Sequence, residues 1–119
     1  WLGDHGALAA MPAGAIAVEC STLTRDWIAA LAAAAAAREI ALLDAPVTGS
    51  RAQAAGGELR FLVGGDAAAL GRARPVLAHL GTETVHLGPS GAGATLKLVN
   101  NFLSGVQVAS LAQAIAARL

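Results

Sequence analysis

The stretch of sequence on which the rest of the chain depends reads Gly91-Ala92-Gly93-Ala94-Thr95-Leu96-Lys97-Leu98-Val99-Asn100-Asn101. It follows a glycine-rich turn and begins a long helical pattern. Lys97 is the only lysine of the chain, which uses arginine at its seven other basic positions. An arginine stays protonated at any working pH, whereas a lysine can be tuned to exchange a proton. Lys97 is therefore a candidate proton donor and acceptor.

The polar residues of this helical pattern are spaced so that they share one face. Lys97, Asn100, Asn101 and Ser104 stand at i, i+3, i+4 and i+7, the spacing of neighbours on a helix surface. The other faces are apolar. A polar stripe on the first two turns of an apolar helix indicates the wall of a cleft. A solvated helix face is the alternative interpretation, and spacing alone leaves it open.

Composition limits the classes of partner. The chain has 119 residues, 55% of them hydrophobic, and no net charge, which suits one domain. It contains no basic run, which argues against nucleic acid, and no apolar run long enough to span a membrane. The single cysteine, Cys20, excludes an internal disulfide and fits a reducing compartment. We therefore expect a cytoplasmic protein. The three histidines lack metal-ligand spacing, so no metal site is predicted.

Strand and helix patterns alternate along the chain. Strands are predicted at 15–20, 40–43, 59–63 and 82–87, and helices from Thr24 or Asp26 to about Arg38 and from Asp66 to about Leu80. The apolar run at 15–20 is predicted to lie centrally in a parallel sheet, with Cys20 buried in it. Pro46 lacks a backbone N–H, so the second strand should end there or lie at an edge. This alternation is typical of α/β proteins.

Three turns rich in hydroxyl groups or glycine follow these strands: Ser21-Thr22, Thr48-Gly49-Ser50 and the turn from Gly88 to Gly93. Ligands of open α/β sheets bind at the carboxyl ends of the strands. Thr48-Gly49-Ser50 offers two hydroxyls and accessible backbone N–H groups to a carboxylate or a phosphate. Each turn alone could be an ordinary turn or a helix cap, but the three together favour a binding site.

Four blocks, in order along the chain, resemble motifs of the β-hydroxyacid dehydrogenases, the group of the 3-hydroxyisobutyrate, tartronate semialdehyde and glyoxylate/succinic semialdehyde reductases. The blocks are Val18-Glu19-Cys20-Ser21-Thr22, Asp44-Ala45-Pro46-Val47-Thr48-Gly49-Ser50, Phe61-Leu62-Val63-Gly64-Gly65 and Gly91-x-Gly93-x-x-x-Lys97-x-x-Asn100-Asn101. They look like the Ser-Thr strand near the nicotinamide, the substrate motif Asp-Ala-Pro-Val-Ser-Gly-Gly, the Met-Val-Gly-Gly block and the catalytic motif.

The resemblance implies an α/β fold in which residues 1–90 form the back half of a Rossmann-type cofactor domain. Residues 91–119 would begin the long interdomain helix of a second, all-α domain. The chain would then be an internal fragment of a longer protein, inactive by itself. The whole protein would be a homo-oligomer.

The resemblance also implies the chemistry: NAD(P)-dependent oxidation of a 3-hydroxyacid, or reduction of the matching semialdehyde, with Lys97 as general acid/base. A small carboxylate would be the substrate and NAD or NADP the cofactor. The remaining site residues would be Thr48, Gly49, Ser50 and Asn101 for the substrate, and Ser21 and Thr22 for the cofactor.

The sequence also departs from the motifs of this group. Thr48 replaces the usual serine, Ser50 a common glycine, and Gln113 a glutamate. A 6-phosphogluconate dehydrogenase would carry histidine where Asn100 stands, and imine reductases commonly lack the lysine. A catalytically silent oligomerisation or binding module is the alternative from another class, against which the retained Lys97 argues.

Overall fold

A computed structural model describes residues 1–117, which form an α/β domain with a long final helix. The helices are α1 (Ala7–Ala10), α2 (Arg25–Ala36), α3 (Arg51–Ala55), α4 (Ala67–Leu77) and α5 (Ala92–Ala116). The strands are β1 (Ile16–Glu19), β2 (Ala41–Asp44), β3 (Val47–Thr48), β4 (Leu59–Gly64) and β5 (Gly81–Gly88). Arg118 and Leu119, the end of the segment expected to begin a second domain, lie outside the described residues.

Side chains at the helix starts explain where the helices begin. The Thr24 hydroxyl accepts from the Trp27 N–H at α2, and Asp66 accepts from the Ala69 N–H at 2.8 Å at α4. Ser50 and Gln53 form a capping box at α3, in which each side chain bonds the other residue's backbone. The α4 helix ends at Leu77, three residues before the predicted end.

The sheet is mixed rather than purely parallel. β1 pairs with β2 in parallel, and so does β4 with β5, but β2 and β3 run antiparallel to β4. Among the described strands β1 lies at the edge, where it pairs only with β2, so the central position expected for β1 stays a prediction. Pro46 interrupts the second strand as predicted. The chain then continues in the same direction, so that Val47 and Thr48 pair with β4 as the short strand β3.

The helices cover both faces of the sheet, which confirms the α/β prediction. One core cluster joins α4 to residues such as Leu43, Phe61 and Val63. The other joins α2 to Ala17, Leu42 and Ala94, the last of these at the start of α5. Beyond Ala94, α5 leaves the sheet and is mostly exposed. Within residues 1–117, no helix has both the length and the hydropathy to cross a membrane.

The strand ends line up across the sheet. Glu19 is the register partner of Asp44, Asp44 of Gly64, and Gly64 of Gly88. We call these four residues the strand-end row. β1 and β2 reach the row from one side, and β4 and β5 from the other. The row therefore runs from the turn after β1 at one end to the turn before α5 at the other, with Asp44 and Gly64 between them.

Candidate active site

Asp44 anchors the first turn of α5 to the sheet. Its side chain is 0% exposed, and it accepts from the Gly91 N–H at 2.7 Å and from the Ala94 N–H at 2.8 Å. The first N–H groups of a helix have no partner inside the helix, and their partial positive charge favours an anion. One buried carboxylate therefore fixes where the helix of Lys97 begins.

Two glycines allow this close approach. A Cβ atom on Gly93 would overlap the Leu62 carbonyl oxygen and come within 2.7 Å of the Asp44 carbonyl oxygen. A Cβ atom on Gly64 would come within 2.7 Å of the Pro89 carbonyl oxygen and press on the Asp44 side chain. Both glycines belong to the quoted motifs, and the structure explains them by backbone packing around Asp44.

Lys97 lies one turn beyond this anchor, and its side chain returns to the sheet. The half-buried Lys97 donates from Nζ to the Val47 carbonyl oxygen at 2.8 Å. This contact brings the lysine beside Thr48, the next residue of β3. Farther along the polar stripe, the exposed Ser104 hydroxyl donates to the Asn100 carbonyl oxygen at 2.9 Å. Asn101 is exposed.

Thr48 faces the side of the sheet on which α5 begins. The Val47 side chain packs into the α4 cluster, and successive side chains of a strand point to opposite faces. Thr48 is the register partner of Arg60. Thr48 and Gly49 line a polar cleft of about 430 Å³. The other residues of the cleft are Gln53, Glu58, Arg60 and Thr82.

The predicted turn residues differ in what they still offer. The Ser50 hydroxyl already accepts from the Gln53 N–H as the cap of α3. Gly49 has a φ of 134°, a conformation that side chains disfavour. The turn 48–50 lies beyond the strand-end row, along β4, whereas the turn 21–22 adjoins the row. Lys97 thus contacts Val47, which precedes the turn 48–50 by one residue. The turn 21–22 lies nearer to Asp44.

The end of β1 contains a second buried carboxylate, which the sequence analysis did not assign. Glu19 is 5% exposed. It accepts from the Ser21 N–H at 2.7 Å and from the Trp1 indole N–H. Burial acts to raise the pKa of Glu19, but the hydrogen bonds from Ser21 and Trp1 outweigh it, so the pKa of Glu19 is lowered. An acidic residue that ends an apolar strand is the signal that could have identified it.

Cys20 corrects a prediction. The residue is exposed because β1 ends at Glu19 and Cys20 leaves the sheet. Partial burial of its thiol and the neighbouring Glu19 charge raise the pKa of Cys20. A raised pKa disfavours the thiolate, which is the nucleophilic form.

Within the described part of the chain, no group of three His, Cys, Asp or Glu side chains could hold a metal ion.

Comparisons with known proteins identify relatives of this chain. Residues 1–88 match the family model for the NAD binding domain of 6-phosphogluconate dehydrogenase. The chain is 43% identical over 116 residues to 3-hydroxyisobutyrate dehydrogenase of Pseudomonas aeruginosa, and 45% identical over 116 residues to the NAD-dependent L-serine dehydrogenase of that organism. In both cases 98% of this chain is covered, and the chain spans 39% of the length of the relative.

A solved structure is similar as well. It is the 3-hydroxyisobutyrate dehydrogenase of Mycobacterium tuberculosis with L-serine, at a TM-score of 0.85 and 37% identity. The match covers 90% of this chain and 37% of that one. The resemblance that the four motifs carry is thereby confirmed, as is the Rossmann-type fold. The chain belongs to the family of the NAD binding domain of 6-phosphogluconate dehydrogenase, and it is similar to 3-hydroxyisobutyrate dehydrogenases over nearly its whole length.

Proposed function

We propose that the whole protein oxidises a 3-hydroxyacid with NAD or NADP, or reduces the corresponding semialdehyde. The observation that carries the proposal is the bond from Lys97 Nζ to the Val47 carbonyl oxygen, at 2.8 Å. It holds the only lysine of the chain beside the Thr48 turn, on the face of the sheet where α5 is anchored. The relatives named above, which share the NAD-binding domain, support the reaction class.

Lys97 moves the proton in this proposal. In the oxidation, its Nζ accepts the proton of the substrate hydroxyl while the carbon of that group loses a hydride, and a C=O bond forms. In the reduction, Nζ returns the proton to the oxygen. A positioned acid/base of this kind contributes about 10²–10⁴-fold to a rate. The Val47 carbonyl oxygen keeps the side chain directed at the sheet before the substrate arrives.

The turn 48–50 and Asn101 bind and orient the substrate. The Thr48 hydroxyl and the backbone N–H groups of Gly49 and Ser50 are donors suited to a carboxylate. Asn101 lies one helical turn after Lys97, on the same stripe. Because the Ser50 hydroxyl is engaged in the α3 cap, its contribution would come from the backbone.

The cofactor would lie against the end of β1. The fit rests on one observation: Ser21 and Thr22 are exposed at the carboxyl end of a parallel strand, the usual ligand edge of such sheets. The neighbouring strand anchors the helix of Lys97. A bound nicotinamide would take up the hydride in the oxidation and supply it in the reduction. The turn 21–22 would contact it and set its distance from the substrate.

The organisation of the whole protein is part of the proposal. Residues 1–90 are assigned to the cofactor domain, and residues 91–119 to the start of a helical second domain. The protein would be a cytoplasmic homo-oligomer, in which further subunits or domains cover the exposed apolar residues of α5. The 119-residue chain by itself would be inactive.

Substitution of Lys97 tests the proton-transfer role. In the whole protein, Lys97→Ala should lower kcat by about 10²–10⁴-fold. Lys97→Arg should lower it almost as much, because a guanidinium keeps its proton. Steady-state kinetics with 3-hydroxyisobutyrate and L-serine provide the measurement. Ser104→Ala, on the same stripe but farther along, is the control and should stay within twofold. Near-normal turnover of Lys97→Arg would contradict the proposed role.

Substitution of Thr48 tests the carboxylate contact. Thr48→Val keeps the shape and removes the hydroxyl, so it should raise KM for the hydroxyacid about tenfold or more, with a smaller change in kcat. A hydrogen bond to a charged group contributes about 1.5–3 kcal/mol. Thr82→Val, which changes another threonine of the same cleft, is the control. An equal rise in KM for both variants would mean that substrate binding depends on the cleft as a whole and not on the Thr48 hydroxyl.

A further inference from the structure

We propose that Glu19 is a positioning residue for the cofactor-side turn, acting through the Ser21 N–H. The inference rests on the proposed function, in which Ser21 and Thr22 contact the cofactor. It adds a residue that touches neither cofactor nor substrate.

Glu19 is fixed from three directions. Its backbone carbonyl oxygen accepts from the Ala45 N–H at 2.8 Å, which ties it to the segment after β2. One carboxylate oxygen accepts from the Ser21 N–H at 2.7 Å, and the other from the Trp1 indole. A buried carboxylate is costly unless its oxygens are bonded, and here two N–H donors meet that requirement. The side chain therefore connects the last residue of the strand to the first residues of the turn.

The turn itself has few other supports. Cys20, Ser21 and Thr22 are all exposed, and exposed turns with few apolar contacts open most readily. The bond from the Ser21 N–H to Glu19 is thus what holds this backbone against the sheet. Without it, the turn would keep its sequence but lose a defined place relative to the strand-end row.

Asp44, next to Glu19 in register, does the same for a different segment. It holds the Gly91 and Ala94 N–H groups and so the helix of Lys97. The two buried carboxylates therefore hold the turn 21–22 and the start of α5 against the same sheet. A misplacement of about 1 Å between reacting groups can cost about 10²-fold in rate, so both placements matter. The two residues should nevertheless have separable effects, which makes Asp44 the natural comparison.

The test measures order and cofactor binding in the whole protein. In Glu19→Gln, the amide nitrogen replaces one acceptor oxygen and faces an N–H donor, so one of the two bonds is lost. We expect hydrogen exchange of a peptide spanning 20–24 to become faster and the Kd for NAD⁺, measured by calorimetry, to rise about tenfold. Exchange across 91–97 should stay unchanged. With the hydroxyacid, KM for NAD⁺ should rise more than kcat falls.

Trp1→Phe provides a second variant that leaves the carboxylate in place. It removes only the indole donor and should loosen the same turn in the same direction, by a smaller factor. Trp27→Phe, at an exposed tryptophan on α2, is its matched control and should change neither readout. Asp44→Asn, in contrast, should speed exchange across 91–97 and lower kcat while leaving exchange across 20–24 as it is.

The outcomes decide between positioning and bulk stability. Unchanged exchange at 20–24 and unchanged Kd in Glu19→Gln would overturn the proposal. So would faster exchange over both segments together with a lower melting temperature, because that pattern indicates general destabilisation. Neither the exchange nor the calorimetry requires a substrate. A failure of the proposed 3-hydroxyacid chemistry, seen with Lys97→Arg, therefore remains distinguishable from a failure of the role of Glu19.

Discussion

The two ends of α5 are built from similar residues but are held in different ways. At the first turn, Gly93 and Ala94 are buried and their backbone touches the sheet and Asp44. In the remainder, from Leu98 to Ala116, large apolar residues are exposed; Phe102 is 70% and Ile115 69% exposed. The comparison teaches that the large apolar side chains of α5 do not fix the helix to the sheet. Its place is set by backbone contacts within one turn, and Lys97 lies immediately after them.

The largest effect on the free energy of unfolding is expected from adding one methyl group at the buried first turn of α5. Gly93→Ala places a Cβ against the carbonyl oxygens of Leu62 and Asp44, which belong to the backbone and cannot rotate away. Overpacking of a core costs about 1–3 kcal/mol and occasionally more, and we expect about 3 kcal/mol or more here. Urea unfolding of the 119-residue chain, followed by circular dichroism, measures the change in free energy of unfolding.

Gly105→Ala is the matched substitution in the exposed part. No atom lies within 4 Å of the added Cβ, and alanine is favoured over glycine inside a helix by about 1 kcal/mol. This variant should therefore be slightly more stable than the parent chain. If both substitutions destabilised the chain equally, the distinction between the two ends of α5 would be lost.

The exposed part should make the 119-residue chain self-associate. A contiguous apolar surface of this kind drives association, and burial of one large apolar side chain contributes about 1.5–3 kcal/mol. Light scattering over a concentration series should show oligomers, and Phe102→Glu should weaken association about tenfold or more. Val76→Glu, at an exposed valine on α4, controls for added charge. A monodisperse monomer at high concentration would contradict the expectation.

The smallest effect is expected on the pH dependence of the free energy of unfolding. The pKa of Glu19 is lowered from the usual value of 4.5, so its ionised form stabilises the fold. This stabilisation is complete above pH 4.5 and is lost as the pH falls through the lower folded-state pKa. The difference in unfolding free energy between the parent chain and Glu19→Gln should therefore shrink as the pH falls below about 4.5. Because Leu98–Ala116 contains no titratable side chain, Gln107→Ala should show no such pH dependence.

Local patterns predicted most elements of the fold. The helices α2 and α4 and the strands β1, β2, β4 and β5 followed from residues close together in sequence. The antiparallel run of β3 did not follow, because Pro46 indicates where a ladder is interrupted and not where the chain goes next. Cys20 was misplaced because one residue decides whether a strand end lies inside or outside the sheet.

The site was predicted unevenly for a related reason. Lys97 could be identified because it is the only lysine and shares a stripe with asparagines. Whether the predicted residues bind substrate or cofactor remains a prediction. Asp44 stood in a quoted motif, but its partners Gly91 and Ala94 follow it by 47 and 50 residues. No local sequence pattern predicts a hydrogen bond between residues so far apart in sequence. Glu19 had only a weak signal, its position at the end of an apolar strand.

The long reach of Asp44 has a consequence for the order of folding. Closing a loop of about 50 residues costs entropy that has to be offset by other contacts, and the Asp44 carboxylate meets α5 beside Gly64, the last residue of β4. We therefore expect β2 and β4 to pair before the start of α5 docks, so that Lys97 reaches its place late. In a mutational study of folding rates, Asp44→Asn should accelerate unfolding and leave refolding almost unchanged, a φ-value near zero. A nascent chain that has formed the sheet but not this contact would have the end of β1 in place while Lys97 is not yet held against the sheet.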